Sequence, residues 1–202
     1  MPATCQTNAA CDLGTQQSPI AIDSKTATLI DPSTVSLGIP EAGRVEFENL
    51  GYTLEVMLPN RALTAQGKPY TLAHFHFQTP SEHRLDEEHY PLEVHFVFTD
   101  ATNGIAVIGF VFQLSETGDC DSLFSSVFAD VEAISEPGSA TEIKSLDFSD
   151  LTEHFHGYDP LSLDVRHYNH VKRLIRFNSR YTQNVPGDES LLEMAARELN
   201  GL

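Results

Sequence analysis

The chain has 202 residues, of which 41% are hydrophobic and 20% are charged, and its formal net charge is −17 at pH 7. This length suffices for one domain with a sizeable core, and the composition is typical of a folded globular protein. The negative charge argues against nucleic acid and anionic membranes as partners, because both attract clusters of lysine and arginine. The length and composition together predict a single domain over residues 1–202.

The N-terminal segment, residues 1–15, has little apolar pattern and predicts an irregular arm. It lacks the basic start and apolar core of a secretory signal, and no apolar run in the chain reaches the length of a membrane span. Three cysteines, Cys5, Cys11 and Cys120, are an odd number, so at least one cannot pair within the chain. The pattern leaves both the disulfide state and the localisation open.

Short β-strands are predicted in the first third of the chain. Residues 34–37 and 44–47 are separated by glycines and a proline, which favour turns. A turn signal at residues 49–51 precedes a further strand over 52–57, which places Leu54 and Val56 on one face.

Two β-type runs, residues 73–78 and 91–98, contain the most informative polar residues. Side chains two residues apart lie on the same face of a strand. His74, His76 and Gln78 therefore share one face of the first run, and two phenylalanines occupy the other face.

Glu93 and His95 share a face of the second run. If the two strands pair, imidazoles from both converge, as a zinc site with three protein ligands and an open position requires. Glu93 could then accept the second ring N–H of a ligand and fix its tautomer. The alternative is a set of polar residues lining a half-exposed sheet, because His-x-His motifs are common.

The second half of the chain predicts one long strand followed by helices. Residues 105–112 are almost continuously apolar, which favours a strand buried on both faces in the middle of a sheet. Ser122, Asp164 and Asp188 are the expected N-caps of three of the helices. Helices or short helical turns are predicted at residues 122–134, 149–155, 164–176 and 189–199.

The order of the central motifs, HFHF, TPSEH and LEVHFVF, resembles the metal-binding core of the α-class carbonic anhydrases, and fungal and bacterial members are most similar. Further matches lie at residues 16–22, 49–56 and 171–184, so the resemblance covers nearly the whole chain. It implies a mainly β fold with a large, mostly antiparallel, twisted central sheet and short peripheral helices. It also implies Zn²⁺ as cofactor and CO2 and bicarbonate as small-molecule partners.

The zinc ligands of that family map onto the chain with one departure. The first histidine falls on His76 and the third on His95, but the second falls on Gln78. His74 lies where the family usually has a glutamine that supports the first ligand. Because it shares the face of His76, it is a candidate substitute for the missing histidine. Glu93 takes the position that orients His95. Zinc binding is therefore expected to be weak or substoichiometric.

Two further positions bear on catalysis. Glu82 matches the glutamate that anchors the family's hydrogen-bond relay, but the partner threonine belongs to a strand–SLTTPPC–strand segment that this chain lacks near residues 158–160. No Thr-Thr-Pro-Pro occurs in the sequence. Tyr52 lies where many members have a proton-shuttling histidine, and a phenol is a poor shuttle at neutral pH.

The resemblance therefore implies a zinc lyase (carbonate dehydratase) that reversibly hydrates CO2, with the activity of this chain impaired. The alternative is a non-catalytic, carbonic anhydrase-related binding or interaction protein. A third interpretation, a segment missing from the sequence of a working enzyme, explains the absent loop but not Gln78. Family members in fungi are usually secreted, and the resemblance leaves the oligomeric state open.

Overall fold

The computed structural model describes residues 17–27, 35–38, 43–65, 68–155, 160–180 and 182. The chain divides into two compact units, the first made of Met1–Ala27, Glu82–His89 and Arg180–Leu202, and the second of Thr28–Ser81 and Tyr90–Ser179. The predicted arm, the last predicted helix and the junction at residues 156–159 lie outside the described residues. A single domain over residues 1–202 remains a prediction.

The described residues contain eleven strands and four short helical segments. The strands are β1 (Ala21–Ile22), β2 (Val35–Gly38), β3 (Val45–Asn49), β4 (Leu54–Ala65), β5 (Lys68–Gln78), β6 (Arg84–Leu85), β7 (Glu88–His89), β8 (Leu92–Thr99), β9 (Ile105–Leu114), β10 (Ala140–Ile143) and β11 (Leu161–Leu163). The helices are α1 (Ser122–Phe128), the 3₁₀ helix η1 (Val131–Ile134), α2 (Ser149–His154) and α3 (Val165–Ile175).

The first unit contains a small sheet in the order β1-β6-β7. β1 runs parallel to β6, and β6 pairs antiparallel with β7. The side chain of Asp86, which follows β6, accepts hydrogen bonds from the backbone N–H and the hydroxyl of Ser24, each at 2.8 Å. These bonds fasten the turn between β6 and β7 to the segment that follows β1.

The second unit is built on a large sheet, in which the described strands follow the order β10-β3-β4-β5-β8-β9-β11 and β2 pairs with β4. All of these pairs are antiparallel except β9 with β11. The prediction of a mainly β fold with a large, mostly antiparallel sheet is confirmed.

One face of this sheet carries the core, as the alternation of apolar residues predicts. Leu54, Val56, Phe75 and Phe77 are all fully buried, in neighbouring strands β4 and β5. A second layer packs against this face of the sheet and is formed by helices α1 and α3, the 3₁₀ helix and the segment before α2. Its buried residues include Phe124, Phe128, Phe148, Val171 and Ile175. The described helices therefore pack against the face of the sheet that carries the core.

Aromatic rings dominate the contact between the two layers. The ring centroids of Phe77 and Phe128 are 5.0 Å apart, and those of Phe112 and Phe124 are 4.7 Å apart. Phe75 lies 4.9 Å from Phe96 on the next strand. Edge-to-face and tilted pairs at these separations add to the stabilisation from burial.

The prediction for residues 105–112 is wrong in part. They form strand β9, but Ile105 and Val107 are 69% and 53% exposed. Among the described residues β9 pairs with β8 along its length, whereas β11 covers it only from Phe112 to Leu114. Ile105 and Val107 share a face of β9 with Gly109, which is opposite His95, so they lie on the polar face of the sheet. A continuous apolar run signals two buried faces only where other layers cover both faces of the sheet.

The helix predictions are confirmed at α3 and corrected at α1. Asp164 caps α3, because its Oδ1 accepts hydrogen bonds from the backbone N–H of Arg166 and His167. The segment 122–134 is divided into α1 and the 3₁₀ helix, and its N-cap residue is Asp121 rather than Ser122. Ser122 lies inside the first turn, and its hydroxyl donates to Asp150 instead. None of the described helices has the length and apolar character needed to cross a membrane.

Candidate metal centre

Strand register brings the polar residues of three neighbouring strands onto one face of the large sheet. In the β5–β8 ladder, His76 is opposite His95 and Gln78 is opposite Glu93. The face of β5 that carries His76 is the one opposite the buried phenylalanines. Side chains directly opposite each other in an antiparallel pair lie on the same face, with Cβ atoms about 4.5–5.5 Å apart. Pairing therefore brings imidazoles from both strands together.

The two opposed histidines are His76 and His95. Their ring centroids are 5.3 Å apart, and the ring planes are perpendicular. His95 is buried, and His76 is half-buried. Rings at this separation can direct nitrogen atoms at a common point, as two ligands of one ion do.

The orientation of His95 is set by a buried carboxylate. Glu93 Oε1 lies 2.7 Å from His95 Nε2, and Glu93 is 1% exposed. A carboxylate in this position accepts the proton of Nε2, so the lone pair of the neutral ring is on Nδ1. This tautomer leaves Nδ1 of His95 as the nitrogen that can bind a metal.

Gly109 provides the space for this pair on strand β9, opposite His95. A Cβ atom at this position would lie 2.9 Å from Glu93 Oε1 and 3.5 Å from His95 Cδ2. Real Cβ atoms do not approach so closely, so any larger residue displaces Glu93. The glycine therefore protects the Glu93–His95 hydrogen bond.

Gln78 has an unusual environment. Within the described part of the chain, its Oε1 atom is buried and has no hydrogen-bond partner. Buried polar atoms are almost always hydrogen-bonded, and an unpaired one costs about 1–3 kcal/mol. An acceptor oxygen of this kind, on the same face as the two histidines, fits a role as a ligand to a cation.

A second group lies on the same face, at the β4–β5 pair. Glu55 is opposite His76 in the register, and its Oε2 lies 3.7 Å from His74 Nε2. Burial raises the pKa of the Glu55 carboxyl, and the negative charge of Glu48 raises it further. Burial lowers the pKa of the His74 imidazole. Near neutral pH, His74 is therefore in the neutral form that binds metals.

The donor chemistry of this face suits a divalent metal ion. Imidazole nitrogens and carboxylate or amide oxygens are available within one patch, and zinc takes nitrogen and oxygen ligands in its catalytic sites. The sequence model of the eukaryotic-type carbonic anhydrases matches residues 2–160 of this chain. The chain belongs to the eukaryotic-type carbonic anhydrase family.

Individual carbonic anhydrases support this assignment. The chain is 35% identical over 104 residues to a carbonic anhydrase of Pectobacterium carotovorum and 31% identical over 109 residues to one of Neisseria gonorrhoeae. These matches span 51% and 53% of this chain but only 41% and 42% of the two relatives. The solved structure of a fungal α-carbonic anhydrase from Aspergillus oryzae is 44% identical, with a TM-score of 0.88, over 96% of this chain and 92% of that one.

The other two residues that the carbonic anhydrase resemblance singled out have distinct environments. The side chain of Tyr52 is 64% exposed, as expected for a surface aromatic. Glu82 is 1% exposed, and in the first unit its carboxylate accepts hydrogen bonds from Nε and Nη2 of Arg180 at 2.9 and 2.8 Å. The backbone N–H of Arg180 donates a third bond at 3.0 Å. The glutamate is thus held by a bidentate arginine.

Sequence reasoning missed Glu55, Gly109 and Asn178. The alternation in residues 52–57 places Glu55 on the face opposite Leu54, but only the register aligns it with His76. The amide of Asn178 donates to the carbonyl oxygens of Tyr52 and Phe77 and accepts from the backbone N–H of Thr79. It thereby fastens the end of β5, where Gln78 lies.

Proposed function

We propose that this chain is a carbonic anhydrase-type zinc protein whose centre supports the reversible hydration of CO2, at a rate far below that of an intact centre. The observation that carries this proposal is the convergence of His76 and His95, with Glu93 bonded to His95 and the buried Oε1 of Gln78 on the same face. In this arrangement His76 and His95 would hold the ion, and Gln78 would supply the third contact.

The weakness of the centre follows from the third contact. Zinc prefers imidazole nitrogen to a neutral amide oxygen, so the exchange of histidine for Gln78 lowers affinity. Changes in groups that only support a ligand already cost roughly 10–100-fold in metal affinity, so loss of a ligand should cost at least that much. His74 is the nearest imidazole on the same strand that could compensate.

When bound, zinc supplies a water acidic enough to act as a nucleophile near neutral pH. The residues of this chain would hold and orient the metal ligands, and none of them would itself react with CO2. Glu93 holds His95 in one tautomer, and Gly109 keeps Glu93 in place. Glu82, fastened by Arg180, would anchor the hydrogen-bond relay, but no Thr-Thr-Pro-Pro segment exists to supply its threonine partner. A lost transition-state hydrogen bond of this kind costs about 2.7–4 kcal/mol, or roughly 100–1,000-fold in rate.

Stopped-flow CO2 hydration at saturating zinc, together with zinc affinity from chelator competition, tests the proposal on four proteins. These are the unchanged chain, Gln78→His, the chain with a family strand–SLTTPPC–strand segment inserted after residue 157, and the combination. We expect Gln78→His to bind zinc at least about 10-fold more tightly, and only the combined variant to hydrate CO2 rapidly. Rapid hydration by the unchanged chain would contradict the proposed impairment.

A non-catalytic, carbonic anhydrase-related binding protein is the second candidate. Gln78 in place of a histidine and the absent threonine segment both favour it, because each removes a part of the catalytic apparatus and leaves the fold. In that case the unchanged chain at saturating zinc hydrates CO2 no faster than the uncatalysed reaction, whereas an impaired enzyme shows slow, zinc-dependent hydration. The same four proteins therefore separate the two functions.

A further inference from the structure

A second set of metal-binding side chains lies beside the centre described above. It consists of Glu55 on β4 and His74 and His76 on β5. One ligand atom from each residue lies within 4.8 Å of the other two. All three side chains are partly exposed, with 16% exposure for Glu55 and 25% for His74, so an ion can reach them from solvent.

The strand register explains why these residues meet. Glu55 is directly opposite His76, and His74 lies two residues before His76 on the same face of β5. The rings of His74 and His76 have centroids 5.3 Å apart and planes inclined by 35°. All three side chains are therefore carried by two hydrogen-bonded strands, so the backbone holds them at fixed separations.

The distance between Glu55 and His74 suits two ligands better than a hydrogen bond. Their closest oxygen and nitrogen atoms are 3.7 Å apart, which is too long for an N–H···O bond. Two ligands bound at 2.0–2.1 Å to one tetrahedral zinc ion are about 3.3 Å apart. Small rotations of these partly exposed side chains close the remaining gap.

The charge of this set also favours a cation. Glu55 supplies a carboxylate, whereas the set of His76, Gln78 and His95 contains only neutral donors. Glu48 is opposite Glu55 in the β3–β4 ladder, and two like charges in this arrangement repel each other. A bound divalent ion relieves that repulsion. Two imidazoles and one carboxylate form a ligand set that zinc and other divalent transition metals accept.

We propose that Glu55, His74 and His76 form a binding site for a divalent transition-metal ion, which overlaps at His76 with the set of His76, Gln78 and His95. His76 belongs to both sets, so an ion occupies one site at a time, and the carboxylate set holds the larger share of the ion in the unchanged chain. This inference goes beyond the proposed function because it requires metal binding alone and no reaction.

The test uses the full chain, stripped of metal and titrated with Co²⁺, whose visible absorption reports ligand number and type. Competition with a chromophoric chelator gives the Zn²⁺ dissociation constant. Glu55→Gln and His74→Asn remove one ligand each from the proposed site. Glu48→Gln is the matched control, because it removes the neighbouring charge and leaves all three ligands. Gln78→Ala and His95→Asn address the other set, and thermal melting confirms that each variant is folded.

We expect Glu55→Gln and His74→Asn each to weaken Zn²⁺ binding at least about 10-fold and to change the Co²⁺ spectrum. Glu48→Gln keeps all three ligands and should leave the spectrum unchanged. Gln78→Ala and His95→Asn should weaken Zn²⁺ binding and alter the spectrum less than Glu55→Gln and His74→Asn do. Weakening by Gln78→Ala and His95→Asn without an effect of Glu55→Gln would overturn this inference and leave the proposed function standing. Equal weakening by all five variants, or weakening by none of them, would also overturn it.

The two proposals fail in different ways. If Glu55→Gln and His74→Asn abolish metal binding while the combined variant from the hydration test never turns over CO2, the proposed function is wrong and the metal site stands. If the combined variant hydrates CO2 and Glu55→Gln binds zinc as the unchanged chain does, the proposed function stands and the metal site of Glu55, His74 and His76 is wrong.

Discussion

The two faces of strand β5 differ in burial and in how completely their side chains are satisfied. On one face Phe75 and Phe77 are fully buried and pack against rings from neighbouring strands and from the helices. On the other face His74, His76 and Gln78 are only half-buried. There, the Gln78 oxygen has no hydrogen-bond partner among the described residues.

Under the proposed function, this difference separates stability from metal binding along one strand. The phenylalanine face gains free energy from burial and ring contacts, and phenylalanine side chains have no polar atom that needs a hydrogen-bond partner. The histidine face keeps ligand atoms close together without satisfying all of them, which lowers stability and prepares a site. Changes on the first face should therefore alter unfolding, and changes on the second should alter metal binding.

The largest expected effect is on the buried face. Phe75→Ala should lower the free energy of unfolding by about 3–5 kcal/mol, because it removes a fully buried ring and leaves a cavity. Denaturant titration followed by circular dichroism measures the loss. His74→Ala, the adjacent residue on the other face, is the matched control and should cost about 1 kcal/mol or less. Equal losses of unfolding free energy in the two variants would show that both faces of β5 contribute alike to stability.

The glycine opposite His95 sharpens the comparison on the polar face. Gly109→Ala should cost about 1–3 kcal/mol, because the new methyl group would lie 2.9 Å from Oε1 of the buried Glu93. Gly43→Ala is the control, since a Cβ atom there has no neighbour within 4 Å. The Nε2–H proton of His95, observed by NMR, should lose its strong hydrogen bond in Gly109→Ala alone. An unchanged signal would mean that Glu93 tolerates the methyl group.

The unpaired oxygen of Gln78 predicts a change in the opposite direction. Gln78→Leu should leave stability unchanged or raise it by up to about 1 kcal/mol, because it removes a buried acceptor that has no partner. Gln113→Leu, at an exposed position of β9, serves as the control and should bring no gain. A clear loss of stability in Gln78→Leu would show that the oxygen is satisfied in solution.

The smallest expected effect is a pH dependence on the polar face. Burial lowers the pKa of His74 below its ordinary value of 6.5, so the unfolded chain binds a proton there that the folded chain resists. Stability should therefore fall as the pH drops through 6.5, and His74→Gln should remove part of that fall. Glu55→Gln tests the opposite sign. Because the pKa of Glu55 is raised in the folded chain, the folded chain takes up this proton before the unfolded chain does as the pH falls, and this uptake adds stability at low pH. Thermal melts between pH 7.5 and 4.5 measure the pH dependence of stability for both variants and for the unchanged chain. Identical pH profiles for all three proteins would show that burial does not shift the pKa of His74 or Glu55.

Much of the candidate site follows from alternation in the sequence. Period-two spacing places His74, His76 and Gln78 on one face of β5, and the same rule pairs Glu93 with His95 on β8. The order of motifs identifies the family before any contact is known. The helix N-cap at Asp164 is equally local, because a carboxylate before a helical pattern satisfies the first free N–H groups by itself.

Other features depend on how strands pair, which period-two spacing does not encode. The apolar run at residues 105–112 predicts a strand correctly, but the exposure of Ile105 and Val107 depends on their lying on the same face of the sheet as His95. Nothing in the local sequence marks Gly109 as the residue that makes room for Glu93. That role arises because the β8–β9 register sets the glycine opposite His95.

By itself, the sequence determined the family, the mainly β fold and the residues that share each face of a strand, because these follow from short-range spacing and motif order. Only the tertiary structure decided that Glu55 lies opposite His76, that the Gln78 oxygen is buried without a partner, and that Arg180 holds Glu82. The Glu55–His76 and Glu82–Arg180 pairs join residues far apart in the chain, and the burial of Gln78 depends on the strands beside it. Their distances are set by strand register and packing, which emerge only when the whole sheet has formed.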